Sequence, residues 1–461
     1  MLKYAAPDLV LYQKLLASYK NCLKNKDHVK KTVFHLHHEK IIHQLALDIE
    51  NRTYQPTTSN IFVVTHPKPR EVIAANMRDR VVHHFIHDYM APYWDRRFVA
   101  TSYACRTGKG PLQACHDLRA FIRRHARQRG TPLYYLKVDV QNFFTTIDLK
   151  VLYRIIERHM EHPLYLWLCQ VVIFHRATKR GSFSLTSPKS LWQMLPKYKS
   201  MFYAPEDVGL PIGNLTSQFF ANVYMNQADQ YVTHQLAGRY LYWQRYVDDI
   251  LFLSDDPAEL RALTPLIASF LQDELHIKLN PKKTLLQPLA RGLDHLGYFF
   301  KPTHTTVRRR VMGNCQRKVD DLIAQPAATL QPEAACATVN AYLGHFNHAA
   351  SRQLRTRVTE QIAAVPHLAA RLEANAAHTK IMPVKKSKKQ RADAARLAEK
   401  KLQDEFVVAF ASVDAEAARR RGAFYLRHWC EVDDLLAPEE GATQEALLAE
   451  GSPNGDAKTA T

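Results

Sequence analysis

Two adjacent acidic residues, Asp248 and Asp249, lie between two apolar runs of the kind that form β-strands. Tyr240–Trp243 precedes them and Ile250–Leu253 follows them. Because side chains alternate along a strand, adjacent acids would point to opposite faces unless a turn separates them. A hairpin with the acids at its tip would expose both carboxylates, which are costly beside buried strands unless they bind a cation. The pattern predicts a β-hairpin that carries a cation site, with a simple β-turn as the alternative.

A third acid, Asp139, follows the strand-like segment Leu133–Val138, and a helix is predicted to begin near Asp148. A strand that ends in Asp139 could lie beside the predicted hairpin and bring the three carboxylates together. Three carboxylates can hold two Mg²⁺ ions through oxygen ligands. Two such ions activate an attacking hydroxyl and stabilise a leaving pyrophosphate in phosphoryl transfer. The three acids therefore predict metal-dependent phosphoryl transfer.

Length, charge and cysteine usage narrow the class of protein. A chain of 461 residues is long enough for roughly two to four domains. Lys and Arg (63) outnumber Asp and Glu (44), and the net charge of +19 favours a polyanionic partner such as nucleic acid. A generic basic protein and a protein that binds anionic lipid are the alternatives. Scattered cysteines, with neither a membrane-spanning run nor a secretory signal, predict a cytoplasmic protein with reduced thiols and no membrane partner.

The chain divides into segments of different periodicity. Apolar positions recur at helical spacing in residues 1–50, and short β-rich runs alternate with helical segments from about 60 to 300. This layout predicts an α+β fold. Residues 176–208 form a basic stretch with Ser and Pro that is typical of an insertion. Residues 310–435 are predicted to be helical, with a dense basic run at Lys385–Arg391.

The acidic segments resemble those of a known family. Tyr246–Asp249 and the strand that ends in Asp139 are similar to the palm motifs of reverse transcriptases. The resemblance implies an RNA-directed DNA polymerase with a right-hand fold. It also implies that Asp139, Asp248, Asp249 and the backbone carbonyl of Val140 bind two Mg²⁺ ions, for which Mn²⁺ could substitute.

Further motifs follow in the order of this family. Phe144 matches the aromatic residue that blocks a ribose 2′-hydroxyl, although an ordinary core aromatic is the alternative. Lys68 and Arg70 match residues that bind the incoming triphosphate, and an arginine fork suits phosphate oxygens. Lys283 matches a catalytic lysine near the leaving pyrophosphate. The resemblance also places Ile212, Gly213 and Gln218 at the nucleotide, and Arg106, Lys109, Asn214, Tyr246, Gly297 and Tyr298 on the template or primer.

The palm motif Gly209–Asn222 departs from the retroviral and group II intron pattern. Ile212-Gly213 and Ser217-Gln218 stand where those enzymes usually have Gln-Gly and Ser-Pro. This departure resembles bacterial enzymes of diversity-generating retroelements and of the related defence-associated lineage, and it predicts low fidelity. Gly213 is expected to let the backbone approach the substrate closely.

Together the patterns and the resemblance predict the domain organisation. An N-terminal helical segment (1–49) precedes fingers (50–133), a ferredoxin-like palm (134–305) interrupted by residues 176–208, and a helical thumb (306–375). A basic helical extension (376–435) and a disordered tail (436–461) follow, with Ala, Glu, Gly and Ser enriched in the tail.

The resemblance also implies the partners of the enzyme. We expect a structured non-coding RNA as template, dNTPs as substrates and a DNA product, and a homo-oligomer or an accessory protein remains open. The insertion and the extension favour antiphage defence over retroelement diversification. A non-catalytic RNA-binding scaffold is the alternative of another class.

Overall fold

The computed structural model describes residues 7–24, 36–66 and 68–384, together with Arg396 and Lys400. Most of the predicted extension, its basic run Lys385–Arg391 and the predicted tail lie outside the described residues. The described residues fall into two compact units. The first lies within Met1–Asn314 and His345–Ser351, and the second within Cys315–Gly344 and Arg352–Thr461. No described helix has the length and apolar character needed to cross a membrane.

Helices and strands alternate through the first unit, and the second is mainly helical. The helices are α1 (Leu9–Leu23), α2 (His38–Glu50), α3 (Met77–Asp95), α4 (Pro111–Gln128), α5 (Phe143–Thr146), α6 (Leu149–Glu157), α7 (Pro163–Ile173), α8 (Lys189–Gln193), α9 (Leu215–Gln235), α10 (Pro257–Leu275), α11 (Arg309–Ala324), α12 (Pro332–Phe346), α13 (Arg352–Ala363) and α14 (Pro366–Ala369). The strands are β1 (Ser59–Val64), β2 (Arg70–Ala74), β3 (Tyr134–Asp139), β4 (Phe183–Leu185), β5 (Tyr242–Tyr246), β6 (Asp249–Ser254), β7 (Leu285–Pro288), β8 (Leu293–His295), β9 (Tyr298–Phe300), β10 (Thr305–Val307), β11 (Leu372–Ala374) and β12 (Ile381–Pro383).

The central sheet has the strand order β5-β6-β3-β7, and all its neighbours are antiparallel. With α9 between β3 and β5 and α10 between β6 and β7, this is the order of a ferredoxin-like βαββαβ unit. Helix α10 buries one face through five apolar side chains at helical spacing, Leu260, Leu263, Ile267, Leu271 and Leu275. The predicted α+β fold is confirmed, and β1, β3 and β6 form at the three β-rich runs of the sequence.

The segment 176–208 contains a strand that joins a second sheet. Strand β4 pairs in parallel with β1, which also pairs antiparallel with β2. The short helix α8 and two 3₁₀ turns, Lys197–Lys199 and Met201–Tyr203, follow β4. Backbone hydrogen bonds therefore join the segment predicted to be an insertion to the sheet formed by residues 59–74.

The second unit departs from its purely helical prediction. A β-hairpin forms from β11 and β12, and its register pairs Ala374 with Ile381. The Asn340 side chain fixes this hairpin, because its amide nitrogen donates to the Ile381 carbonyl at 2.8 Å and its oxygen accepts from the Ile381 amide at 2.7 Å. Residues 376–384, predicted as the start of a helical extension, are turn and strand. These two hydrogen bonds join positions 41 residues apart, so the local sequence pattern does not show them.

Candidate active site

The two adjacent acids lie at the tip of the β5–β6 hairpin. Tyr246 pairs with Asp249, so Val247 and Asp248 form a two-residue turn. Val247 has a φ of 58°, a left-handed conformation that costs a β-branched residue free energy. This turn exposes both carboxylates to the same side of the site, as the sequence pattern predicts.

The third acid faces the hairpin across the sheet. In the antiparallel register of β3 and β6, Asp139 is the direct partner of Asp249. Directly opposed residues in an antiparallel pair have their Cβ atoms about 5 Å apart. The next residue, Val140, forms an isolated bridge with Leu279. The sheet therefore brings together three carboxylates that are far apart in the sequence.

Two lysines offset part of this negative charge. The Lys283 Nζ lies 2.6 Å from Asp139 Oδ2, and the Lys137 Nζ lies 3.4 Å from Asp249 Oδ2. Burial, followed by the charges of Asp249 and Asp139, raises the pKa of Asp248 to about 6. Burial also raises the pKa of Asp249, whereas the Lys137 ammonium lowers it.

The donor set fits a divalent cation. Carboxylates and a backbone carbonyl are the hard oxygen ligands that Mg²⁺ prefers, and burial, followed by the charges of two neighbouring carboxylates, raises the pKa of Asp248. Among the residues that the structure describes, no three His, Cys, Asp or Glu side chains already converge as ligands of one ion. Lys283 and Lys137 instead provide positive charge beside two of the acids.

Asp248 and Asp249 line a cleft of about 550 Å³, and Asp139, the register partner of Asp249, is buried beside them. Lys68 and Arg70 contribute positive charge to the same cleft. Arg70 is the first residue of β2. The cleft also contains other residues that the sequence resemblance places at the site. They are Val140, Phe144, Ile212, Tyr246 and Lys283.

Phe144 is held at the cleft by backbone contacts. It lies in the short helix α5, and its carbonyl accepts a hydrogen bond from the Leu210 amide at 2.7 Å. Its ring packs edge-on against Phe143, with 5.4 Å between the ring centroids. Phe143 is buried, whereas Phe144 is partly exposed and lines the cleft. Phe143 lines the cleft as well, so the gate role of Phe144 and its alternative, an ordinary core aromatic, both stay predictions.

Several predicted nucleic-acid contacts instead hold the protein together. The Arg106 guanidinium donates to Val99 O at 2.8 Å and to Ser102 O at 2.9 Å, and it also contacts Asp95. Lys109 Nζ donates to Ala100 O at 2.8 Å. Asn214 is buried and accepts from the Ala75 amide at 3.1 Å. These polar groups have partners inside the fold, and their assignment to nucleic acid stays a prediction.

Of three further predicted residues, Tyr298 is buried, Gly297 is partly buried, and Gln218 lies outside the cleft lining. Tyr298 is 1% exposed, and its hydroxyl donates to His345 O at 2.9 Å while the two rings stack. Gly297 adopts a φ of 91°, and its carbonyl accepts from the Arg308 amide at 3.0 Å. Gln218 is exposed, is absent from the cleft lining, and accepts from Cys105 Sγ at 3.4 Å.

Gly213 is needed for a different contact from the one predicted. It has a φ of 131°, and a Cβ at this position would lie 2.7 Å from the Ile73 carbonyl oxygen. The neighbouring Ile212 carbonyl accepts from the Ile73 amide at 2.7 Å. The close approach that requires glycine is therefore to strand β2, and Gly213 does not line the cleft.

Other residues of the site were not found from the sequence. Asn142, Tyr198, Lys199, Asn280 and Leu296 line the cleft. The Asn280 amide donates to the Asp139 carbonyl at 2.7 Å and so fixes the end of β3. Of these, only Asn280 had a usable signal, since Asn before Pro-Lys-Lys suggests a capped turn.

The comparisons with known proteins identify the family of the chain. The model of the family described as reverse transcriptase (RNA-dependent DNA polymerase) matches residues 65–300, just over half of the chain. No curated protein matches the sequence.

Two telomerase structures are similar over part of the chain. One is telomerase from Candida albicans in complex with a fragment of telomeric RNA, with a TM-score of 0.42 and 10% identity over 68% of this chain and 55% of that one. The other is apo telomerase from Candida tropicalis truncated from its C-terminal domain, with a TM-score of 0.40 and 11% identity over 59% of this chain and 60% of that one. The chain thus spans less than two thirds of either telomerase chain. On the family match, the chain belongs to the reverse transcriptases.

Proposed function

We propose that Asp139, Asp248 and Asp249 hold two Mg²⁺ ions for DNA synthesis, with the Val140 carbonyl as a further ligand. The observation that carries this proposal is the register that pairs Asp139 with Asp249 beside the Asp248 turn. When bound, the two ions supply the positive charge that in-line phosphoryl transfer requires. Mn²⁺ is the expected substitute, because its oxygen-ligand chemistry is similar.

The surrounding side chains would orient the nucleotide. Arg70 and Lys68 supply cationic donors for phosphate oxygens, and Phe144 presents its ring to the sugar. The Lys283 ammonium, which lies beside Asp139, would stabilise negative charge on the leaving pyrophosphate. Each of these residues lines the same cleft as the two acids of the hairpin.

Primer extension tests this assignment. The protein would be purified with the RNA it retains and supplied with Mg²⁺ and labelled dNTPs. We expect wild type to synthesise DNA and Asp248→Asn/Asp249→Asn to synthesise none. Asp273→Asn, which changes an exposed acid on α10, should behave as wild type. Full synthesis by the double variant would overturn the assignment, and RNA binding without synthesis by wild type would favour a scaffold.

We further propose that the chain copies a structured non-coding RNA into cDNA for antiphage defence. The net charge of +19 supports a polyanionic partner. The segment 176–208 and the extension beyond residue 375 support the defence-associated lineage, because compact retroelement enzymes tend to lack both. The Ile212-Gly213 and Ser217-Gln218 pattern suits both lineages.

Sequencing the cDNA made in cells separates the two roles. Copies of an adjacent non-coding RNA, together with phage protection that Asp248→Asn/Asp249→Asn abolishes, are the expected result. Copies of a protein-coding repeat with mutations at adenines, and no protection, would support diversification instead. The same experiment identifies the template.

A further inference from the structure

A short segment, Lys197–Tyr203, is fastened to the wall of the nucleotide cleft at two points. Its first anchor is Glu71 on β2, which is 3% exposed. Glu71 accepts from Ser200 Oγ at 2.6 Å and from the Met201 amide at 2.8 Å. A buried carboxylate with two such donors is a strong attachment, because leaving it without them would cost the fold free energy.

The second anchor is beside the sugar-gate residue. Thr145, which follows Phe144, donates from its Oγ1 to the Tyr198 carbonyl at 3.2 Å. Tyr198 and Lys199 therefore lie between an anchor on β2 and an anchor on α5. Both residues line the cleft that contains Asp248 and Asp249, whereas Lys197 does not.

The charge of Lys199 has no carboxylate partner in the part of the chain that the structure describes. The described ion pairs include Lys137 and Lys283 with the site acids but none for Lys68, Arg70 or Lys199. Lys199 is partly exposed and lies near the ring of Tyr198, with 5.8 Å between its Nζ and the ring centroid. The cleft thus has an acidic side and a side with three cations whose charge is available to an anion.

We propose that Lys199 binds the triphosphate of the incoming deoxynucleotide, as a third cation beside Lys68 and Arg70. The inference rests on the assignment of this cleft as the polymerase site. It gives the segment 176–208 a direct part in substrate binding, since Lys199 belongs to that segment. A lysine ammonium suits this ligand because it forms charge-assisted hydrogen bonds with phosphate oxygens.

Steady-state kinetics of Lys199→Met and of Lys197→Met test the proposal. Lys197 is the matched control, because it is an exposed lysine of the same segment outside the cleft. We expect Lys199→Met to raise the KM for dNTP about tenfold, which corresponds to about 1.4 kcal/mol of binding free energy. Lys199→Arg should recover most of the affinity, because it keeps the charge.

Two further measurements identify the ligand and check the fold. Inorganic tripolyphosphate should inhibit wild type competitively with dNTP and inhibit Lys199→Met several-fold more weakly. All three variants should have the melting temperature of wild type, since neither lysine is buried.

Equal KM values for Lys199→Met and Lys197→Met would overturn the proposal. So would a weaker Kd for template–primer with an unchanged KM for dNTP, because that result would place Lys199 on the nucleic acid. Inactivity of wild type, in contrast, would contradict the polymerase assignment itself. The two failures are therefore distinguishable.

Discussion

Arg245 and Asp229 form a bidentate ion pair that is almost completely buried. The Arg245 Nε lies 2.6 Å from Asp229 Oδ1 and its Nη2 lies 2.6 Å from Oδ2, with side-chain exposures of 0% and 1%. The same guanidinium donates to the Val247 carbonyl at 2.8 Å. Val247 is the residue of the hairpin turn with a φ of 58°. The pair therefore positions the strained turn from which Asp248 projects.

Replacing Arg245 should damage both stability and activity. In Arg245→Met, Asp229 becomes a buried charge without its partner, so we expect the free energy of unfolding to fall by about 3–5 kcal/mol. Urea denaturation measures this change. Arg129→Met is the control, because Arg129 is 55% exposed where it pairs with Asp255, and such a pair contributes about 1 kcal/mol or less. Equal losses in the two variants would contradict the role of Arg245.

Arg245→Lys separates positioning from folding. Lysine keeps the positive charge but cannot contact Asp229 with a fork and the Val247 carbonyl at once. We expect the variant to remain folded by circular dichroism and to lose kcat, with little change in the KM for dNTP. A variant that is folded and fully active would show that the turn holds its conformation without this guanidinium.

Phe144→Ala should admit ribonucleotides. Removing the ring opens space beside the sugar, and steric exclusion no longer opposes a 2′-hydroxyl. We expect the ratio of kcat/KM for dNTP over rNTP to fall by about a hundredfold. Phe144→Tyr, which keeps the ring, should retain the preference. An unchanged ratio in Phe144→Ala would indicate that Phe144 is an ordinary packing residue.

Gly213→Ala should destabilise the protein by about 2 kcal/mol or more, because strain and a clash add. A Cβ there would lie 2.7 Å from the Ile73 carbonyl at a φ of 131°. Gly110→Ala is a matched control, since Gly110 has a φ of 118° and no atom within 4 Å of the added Cβ. Thermal unfolding of both variants separates the clash from the strain. Equal destabilisation of Gly110→Ala would show that backbone strain, and not the contact with β2, accounts for the loss in Gly213→Ala.

His295 should make stability depend on pH. Burial, followed by the charge of Lys137, lowers the pKa of His295 from 6.5 to about 3, and Gln244 pairs with its Nε2 at 2.8 Å. The unfolded chain binds a proton below pH 6.5 while the folded chain does not, so stability is present above this pH and lost as the pH falls. The expected loss is about 1.4 kcal/mol per pH unit.

His295→Gln measures this contribution. Denaturation between pH 7 and pH 4 should have a smaller slope for the variant than for wild type. His304→Gln is the control, because His304 is exposed. Identical slopes for wild type and His295→Gln would rule out His295 as the source.

The sequence by itself determined the elements whose pattern is local. Alternation and apolar runs predicted β1, β3 and β6, and the hairpin that carries Asp248 and Asp249. The position of Asp139 at the end of a strand could also be predicted, because the strand-like run Leu133–Val138 stops at this carboxylate. These features depend on spacings of a few residues, which a single sequence displays directly.

Only the tertiary structure decided which polar side chains face the cleft. The polar side chains of Arg106, Asn214 and Tyr298 could all form hydrogen bonds with nucleic acid. The fold, however, supplies internal partners for them. Lys199 enters the cleft because Ser200 meets Glu71 across 129 positions of sequence. A polar side chain pairs with the partner that folding places within hydrogen-bonding distance. Contacts between positions so far apart in the sequence produce no periodic pattern from which they could be predicted.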